Sequence, residues 1–268
     1  MLVSSISLLG VPHDAHSTFL RGTAQAPPLI RKAFWNPSTN TCSELGVELG
    51  TAGLIDDLGD MAFSPDEDAW PAITGRVNQA LATGQPLICL GGDHAITHPI
   101  VEGLASRYDR LSILHFDAHP DLYDEMEGDR RSHACPFARI MEAQLAQRLV
   151  QVGIRGMNTH QREQAQKHNV EVHDMKDWER PFTLKFDSPL YISFDMDALD
   201  PAFAPGVSHH EPGGLSTREA IAMIHRIEAP AIVGADIVEY NPTRDLNGVT
   251  AMAAGKLFKE IAGKMLQS

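Results

Sequence analysis

Cysteine is scarce in this chain: Cys42, Cys89 and Cys135 are the three it has in 268 residues. They are too few and too scattered for a disulfide framework or a cysteine zinc motif, and a cytoplasmic location is the expectation that follows. Positive charge is also short. Twenty-two Lys and Arg stand against 35 Asp and Glu, a formal net charge of −13, which disfavours nucleic acid as a partner and suits a cationic substrate. No apolar run approaches the length of a membrane span, so no membrane partner is expected. The opening MLVSSISLLGVPHD lacks the basic start and small-residue cleavage site of a signal peptide and reads as a first strand. Internal repeats, low-complexity tracts and linkers are missing too, so residues 1–268 are expected to form a single domain.

What the chain does have is enough apolar material for a full core, 43%, arranged as alternating strands and helices. Runs with strand character occur at Ser5–Val11, Pro86–Gly91, Leu111–Phe116, Leu149–Gly153, Leu190–Phe194 and Ala231–Ala235. Between them lie helical candidates at Pro27–Phe34, Asp66–Ala82, Thr97–Arg107, Cys135–Arg148, Thr159–His168, Ser216–Glu228 and Val249–Lys264. Pro27 and Pro28 fit a helix start, and Ser216 with Glu219 forms a capping box. The alternation predicts an α/β fold, a mostly parallel sheet covered by helices on both faces. Asn36–Glu48 and Asp200–Gly214 are the longest irregular stretches and read as functional loops.

Three of the strands end in acids and histidines. HFDAHPD brings Asp117, His119 and Asp121, SFDMD brings Asp195 and Asp197, and PLICLGGDH brings His94. Alternate positions on a strand share a face, and in open α/β sheets ligands bind where strand ends converge. Any one of these acids could simply cap the following helix. Together they would repel one another unless cations neutralise them, so a metal site is the economical reading. Four carboxylates and two imidazoles with no thiolate suit Mn²⁺ better than structural Zn²⁺, and the set is large enough for two ions. A metal pair can hold and deprotonate a bridging water. His133, in RRSHACPF, is a candidate proton carrier near neutral pH, and Glu239, in ADIVEYNP, ends the last strand and would pair with a cationic substrate. Taken alone, each is equally an ordinary loop or cap residue.

GGDH at Gly91–His94, DAHPD at Asp117–Asp121, SHACPF at Ser132–Phe137, SFDMDALDPAFAPG at Ser193–Gly206, GGLSTRE at Gly213–Glu219 and EYNP at Glu239–Pro242 follow one another in an order that resembles the ureohydrolase family. That family comprises the arginases, agmatinases and their relatives. Through STFLRGTAQAPPLIRKAFW, VSHHEPGGLS and NGVTAMAAGKL the chain is most similar to the plant-type arginase branch. The resemblance implies a three-layer α/β/α fold around two Mn²⁺ per chain, and hydrolysis of a small guanidino substrate to urea and an amine by a metal-bridging hydroxide. It also implies a homotrimer or homohexamer. Carried over, His94, Asp117, Asp121 and Asp195 hold one side of the metal set. His119 and Asp197 complete the other, with Asp121 or an Asp195–Asp197 carboxylate bridging. His133 matches the family's proton-shuttling histidine and Glu239 the acid that holds the guanidinium, which it can do through charge-assisted hydrogen bonds.

The substrate's far end is less determined. The plant-type pattern has Asn where this chain has Asp129 and Tyr where it has Arg131. A carboxylate at Asp129 would favour an amine-bearing tail and oppose the α-carboxylate of arginine, whereas Arg130 or Arg131 could reverse that preference or be plain solvated loop residues. Asn158 falls in the segment that holds the α-amino group in arginases. Agmatine therefore stands slightly ahead of arginine, with formimidoylglutamase, guanidinobutyrase and guanidinase as alternatives in the same family and a binding protein on the same fold as a more distant one. His209 and His210 are candidates for the pocket rim. Cys135 is a candidate free thiol near the site.

Overall fold

The computed structural model describes residues 5–64, 67–179 and 181–267. One sheet of eight parallel strands runs in the order β2-β1-β3-β10-β8-β4-β5-β6. Its members are β1 (Ile6–Val11), β2 (Ile55–Asp60), β3 (Leu87–Gly91), β4 (Ser112–Phe116), β5 (Arg148–Ile154), β6 (Glu171–Asp174), β8 (Leu190–Asp195) and β10 (Ile232–Val238). The two-residue strands β7 (Leu184–Lys185) and β9 (Ile227–Glu228) pair with each other apart from it. The four central strands, β3, β10, β8 and β4, are buried along their whole length. They are covered on both faces, which is why they read as unbroken apolar runs and not as alternation.

Strand alternation sorts the side chains into two helical layers. Ile88 and Leu90 of β3 pack on the face covered by α1 (Ala26–Phe34), α6 (Thr217–His225) and α7 (Val249–Met265). Leu87 and Cys89 pack on the other face, under α2 (Ala69–Leu81), α3 (Thr97–Ala105), α4 (Pro136–Glu142) and α5 (Thr159–Lys167). The result is the three-layer α/β/α arrangement, with helices on both faces of a parallel sheet. The Ser216–Glu219 capping box closes the start of α6 in both directions.

Differences from the sequence expectation have local causes. The helix expected over Cys135–Arg148 stops at Glu142, because Gln144 takes a left-handed φ of 55° and Leu145 N–H turns back to the Ile140 carbonyl, a Schellman-type end. Asp66, the expected start of the second helix, lies outside the described residues, and Asp68 caps α2. The edge strand β2 (IDDLGD) is polar and mostly exposed and the edge strand β6 (EVHD) is polar and half-buried, so neither carries an apolar run to betray it. β10 continues past Ala235 to Val238, through the buried Asp236.

One functional-loop expectation needs correction. The Asn36–Glu48 stretch docks on α6 and α7: Glu44 N–H donates to Glu260, its carboxylate pairs with Arg218, and Lys259 donates to the Asn40 carbonyl. It serves packing and lines none of the site described below. Asp200–Gly214 does reach that site.

Candidate active site

The strand order places the site. α3 links β3 to β4, yet β10 and β8 lie between those two strands, so the chain diverges and leaves a crevice at their C-terminal ends. Register brings the ends level. Phe116 pairs with Phe194, Asp195 with Val238, and Leu90 with Ile237. Phe116 and Phe194 stack with ring centroids 5.0 Å apart as the last core layer, and Asp117 and Asp195 follow them into the crevice.

All six predicted ligands meet there. Nδ1 of His94 is fully buried and has no hydrogen-bond partner among the described residues. Yet carboxylate oxygens of Asp117, Asp121 and Asp195 stand 3.2, 3.0 and 3.1 Å from it. Donors at right angles and about 2.1 Å from a common centre are about 3.0 Å apart, so this spacing is that of a cation's coordination edges. His94 Nε2 sits 2.9 Å from Ser193 Oγ, whose proton goes to Asp236 2.7 Å away. Ser193 must therefore accept from Nε2–H, which leaves Nδ1 with its lone pair toward the carboxylates. A second convergence lies beside the first, with His119 Nδ1 3.1 Å from Asp197 Oδ2 and 3.5 Å from Asp117 Oδ1.

Asp117 thus turns one oxygen to each imidazole, His94 and His119. Asp121, in a left-handed conformation at φ 49°, is aimed at His94, and Asp195 spends its other oxygen on Asp197 N–H. The electrostatics are those of a site built for positive charge. Burial opposes a charge on His119, but Asp197 and Asp117 outweigh it and raise its pKa to about 12. His94 is likewise held well above the ordinary imidazole value, against its burial, by its three acids.

Residues that the sequence reading passed over hold these ligands. His115 Nε2 lies 2.7 Å from Asp117. Gln151 Nε2 must donate to the Pro120 carbonyl, so it also donates to His115 Nδ1, and this fixes the proton on Nε2, facing Asp117. His115 precedes Asp117 by two residues on a strand, so the alternation rule could have found it. Asp236 accepts from Ser193, Thr97 and Tyr191, and only the fold brings those together. Arg155 donates to the carbonyls of Gly153, Asp197 and Glu211, tying the ligand loop to the Asp200–Gly214 loop. Gly156 has no room for a side chain, since a Cβ would stand 2.7 Å from the His119 ring.

Next to the acids, His133 Nδ1 lies 2.8 Å from Glu239 Oε1, and both residues are buried. Glu239 also accepts from His94 N–H, and it sits in a left-handed conformation at φ 63°. Burial disfavours charge on His133, but Glu239 and its neighbours overcome this and bring its pKa to about 9. Glu239 and Asp121 both hold a backbone conformation that is costly for a non-glycine residue, and such strain gathers at working sites. A cavity of about 150 Å³ opens over the group, lined by residues that include Thr18, Tyr123, Met126 and His209 as well as His119, Asp121 and His133.

The sequence-predicted tail residues lie differently. Asp129 does not line this cavity. One carboxylate oxygen is 2.6 Å from His16 Nδ1 and the other accepts Arg131 N–H. Arg130 pairs with Asp124 and Glu142, and Arg131 with Asp68, so neither faces the cavity. Asn158 caps α5 and its amide donates to the Tyr123 hydroxyl at 2.6 Å. His209 lines the cavity, whereas His210 bonds the Pro205 carbonyl. Cys135 is buried, and burial together with Asp121 pushes its thiol up to about 12, so it stays protonated and inert.

These motifs and this geometry agree with the sequence comparisons. A family model for the arginase family matches residues 4–263. The chain belongs to the arginase family. "Arginase 1, mitochondrial" of Arabidopsis thaliana is 45% identical to it, over 98% of this chain and 81% of that protein. The solved arginase of Medicago truncatula superposes with a TM-score of 0.92 at 42% identity, covering 98% of this chain and 88% of that one. The agmatine ureohydrolase of Thermoplasma volcanium follows at 0.83 and 30% identity, over 98% and 90%. Plant relatives carry mitochondrial or chloroplastic names, which overturns the cytoplasmic expectation. A low cysteine count argues only against a disulfide framework, and that does not separate cytosol from organelle.

Proposed function

We propose that the chain hydrolyses a guanidino compound to urea and an amine with two Mn²⁺ ions per chain. The observation that carries this is Asp117, shared between two adjacent ligand sets beside the His133–Glu239 pair. His94, Asp117, Asp121 and Asp195 would hold one ion, and Asp117, His119 and Asp197 the other. Bound there, such a pair supplies hydroxide at neutral pH, which a charge-delocalised guanidinium carbon needs. The oxygen-rich donor set favours Mn²⁺ over zinc. Glu239 gives one oxygen to His133 and His94 N–H, and its other oxygen is the acceptor for a guanidinium N–H. His133 delivers a proton to the departing nitrogen.

For the tail, L-arginine now stands ahead of agmatine. The argument for agmatine rested on Asp129 and on the net charge of −13; that carboxylate is spent on His16 and Arg131 N–H, and the net charge does not tell the two cationic guanidino substrates apart. Tyr123 lines the cavity and already accepts from Asn158, so its own proton is free to donate, which suits a carboxylate better than an ammonium group. The relatives that are 43–45% identical are named arginases. Family membership also carries the expectation of trimers or hexamers of the 29.3 kDa chain, which light scattering reads directly. The test of substrate is urea or ammonia release by Mn²⁺-loaded protein from arginine, agmatine, guanidinobutyrate, formimidoylglutamate and guanidine. Turnover led by arginine is expected; turnover led by another member of the set would displace it.

A further inference from the structure

A row of buried polar side chains crosses the sheet just beneath the ligands. Gln151 on β5 pairs in register with His115 on β4, His115 with Ser193 on β8, and Ser193 with Asp236 on β10, and all four residues are fully buried. The row ends in an acceptor on one side and a donor on the other. At the β10 end Asp236 accepts from Ser193, Thr97 and Tyr191, so Ser193 takes the Nε2 proton of His94 and leaves His94 Nδ1 bare toward the acids. At the β5 end the Gln151 amide donates to His115 Nδ1 at 3.0 Å, so the proton of that ring sits on Nε2, 2.7 Å from Asp117 Oδ2. The two imidazoles thus share a tautomer but turn opposite edges to Asp117: His94 a lone pair, His115 an N–H.

The amide of Gln151 cannot turn over, because Oε1 in place of Nε2 would stand 2.6 Å from the Pro120 carbonyl oxygen, one acceptor against another. Its Oε1 is buried and finds no hydrogen-bond partner among the described residues, so the two donor contacts are what hold the amide. The His115 ring is clamped as well, with its centroid 3.9 Å from that of Phe137. The tautomer decides what His115 is. One ligand atom each from His94, His115 and Asp117 lie within 4.8 Å of one another, a set able to hold a cation. With Nε2 protonated His115 is barred from that set, since a coordinating imidazole nitrogen must be bare, and it hydrogen-bonds Asp117 instead. With Nε2 bare it would join His94 and Asp117, and two imidazoles with a carboxylate are a zinc-type set.

We propose that Gln151 sets the metal preference of the centre by holding His115 in the tautomer that cannot coordinate, a reading that rests on the metal part of the proposed function. The donors around His94 then stay one imidazole and three carboxylates, which suits Mn²⁺, whereas admitting a second imidazole moves the set toward Zn²⁺. Gln151 does not line the cavity. It is a positioning residue that acts through His115, and this accounts for a polar side chain among the buried apolar residues of RLVQVGI.

The test compares Gln151→Glu with Gln151→Met. Glu keeps the shape but carries at most one proton, which the nearer Pro120 carbonyl takes, so it meets His115 Nδ1 with an acceptor and draws the ring proton away from Nε2. Met keeps the bulk, donates nothing and leaves both tautomers open. Affinities of metal-free protein for Mn²⁺ and for Zn²⁺, measured in competition with a chelator, give the preference directly. The ratio of Zn²⁺ to Mn²⁺ affinity should rise about tenfold or more in the Glu variant, the scale on which hydrogen-bonding partners of ligands change metal affinity, and by less in the Met variant. Nitrogen-15 shifts of His115 in metal-free protein, assigned with His115→Phe, should show Nε2 protonated and Nδ1 bare in the wild type and the reverse in the Glu variant. The wild-type spectrum tests the tautomer even where a variant folds poorly. A wild-type ring protonated on Nδ1, or an affinity ratio unchanged in the Glu variant, would overturn the role of Gln151. Wild-type protein that binds no Mn²⁺ would overturn the metal reading and this one with it. Wild-type protein that binds Mn²⁺ with this dependence on Gln151 but releases no urea would overturn guanidino hydrolysis and leave this inference standing.

Discussion

At His133 two hydrogen bonds, to Glu239 and to Thr18, define what the side chain can do. Asparagine keeps a polar group of similar reach but cannot carry a proton. His133→Asn should therefore lower turnover by roughly 10²–10⁴-fold, with metal content by elemental analysis unchanged; unchanged turnover would return His133 to an ordinary buried histidine. Asp129 makes the opposite kind of case. Because its oxygens bind His16 and Arg131 N–H, Asp129→Asn should change kcat/KM for arginine and agmatine by the same factor. A selective loss of agmatine turnover would mean that the carboxylate meets the substrate after all. The convergence of His94, Asp117, His119, Asp121, Asp195 and Asp197 was legible in the sequence because strand alternation and strand ends put them together without knowledge of the fold. Thr18, Asp236 and Arg155 were not, since each works by reaching an element far away in the chain. The facing of Asp129 was hidden for the same reason: its partner His16 is 113 residues distant.

Among the elements, the central strands were the easiest to see and the edge strands the hardest. Burial on both faces writes an apolar run into β3, β4, β8 and β10, whereas β2 and β6 are sheet edges whose polar residues guard against further pairing. The Asn36–Glu48 stretch looked functional through its length alone, and the structure shows it as a clasp across α6 and α7. Its centre is Glu44, whose pKa Arg218 and Lys256 lower from 4.5 to about 2. A carboxyl depressed in the folded state adds stability above its unfolded pKa and loses it as the pH falls toward its folded pKa. Glu44→Gln should then cost about 0.5–1 kcal/mol near neutral pH, the value for a partly exposed ion pair. The difference from wild type should shrink as the pH falls from 4.5 toward 2. Chemical denaturation across that range measures it, and a difference independent of pH would assign the loss to packing.

At the scale of the whole molecule, a net charge of −13 and four acids buried at one sheet edge describe a chain that gives up electrostatic stability to concentrate negative charge at one place. Cations bound only by the folded state would return that stability by mass action. The arginase-family fold explains why the acids meet, and His94 Nδ1, without a hydrogen-bond partner among the described residues, is the atom around which three of them gather. The most direct measurement is titration of metal-free protein with Mn²⁺, following bound ion per chain and urea release from L-arginine in the same samples. We expect saturation at two ions per chain, with urea release rising as they load, and Asp117→Ala to abolish both. One tightly bound zinc per chain, with activity indifferent to Mn²⁺, would contradict a binuclear manganese centre.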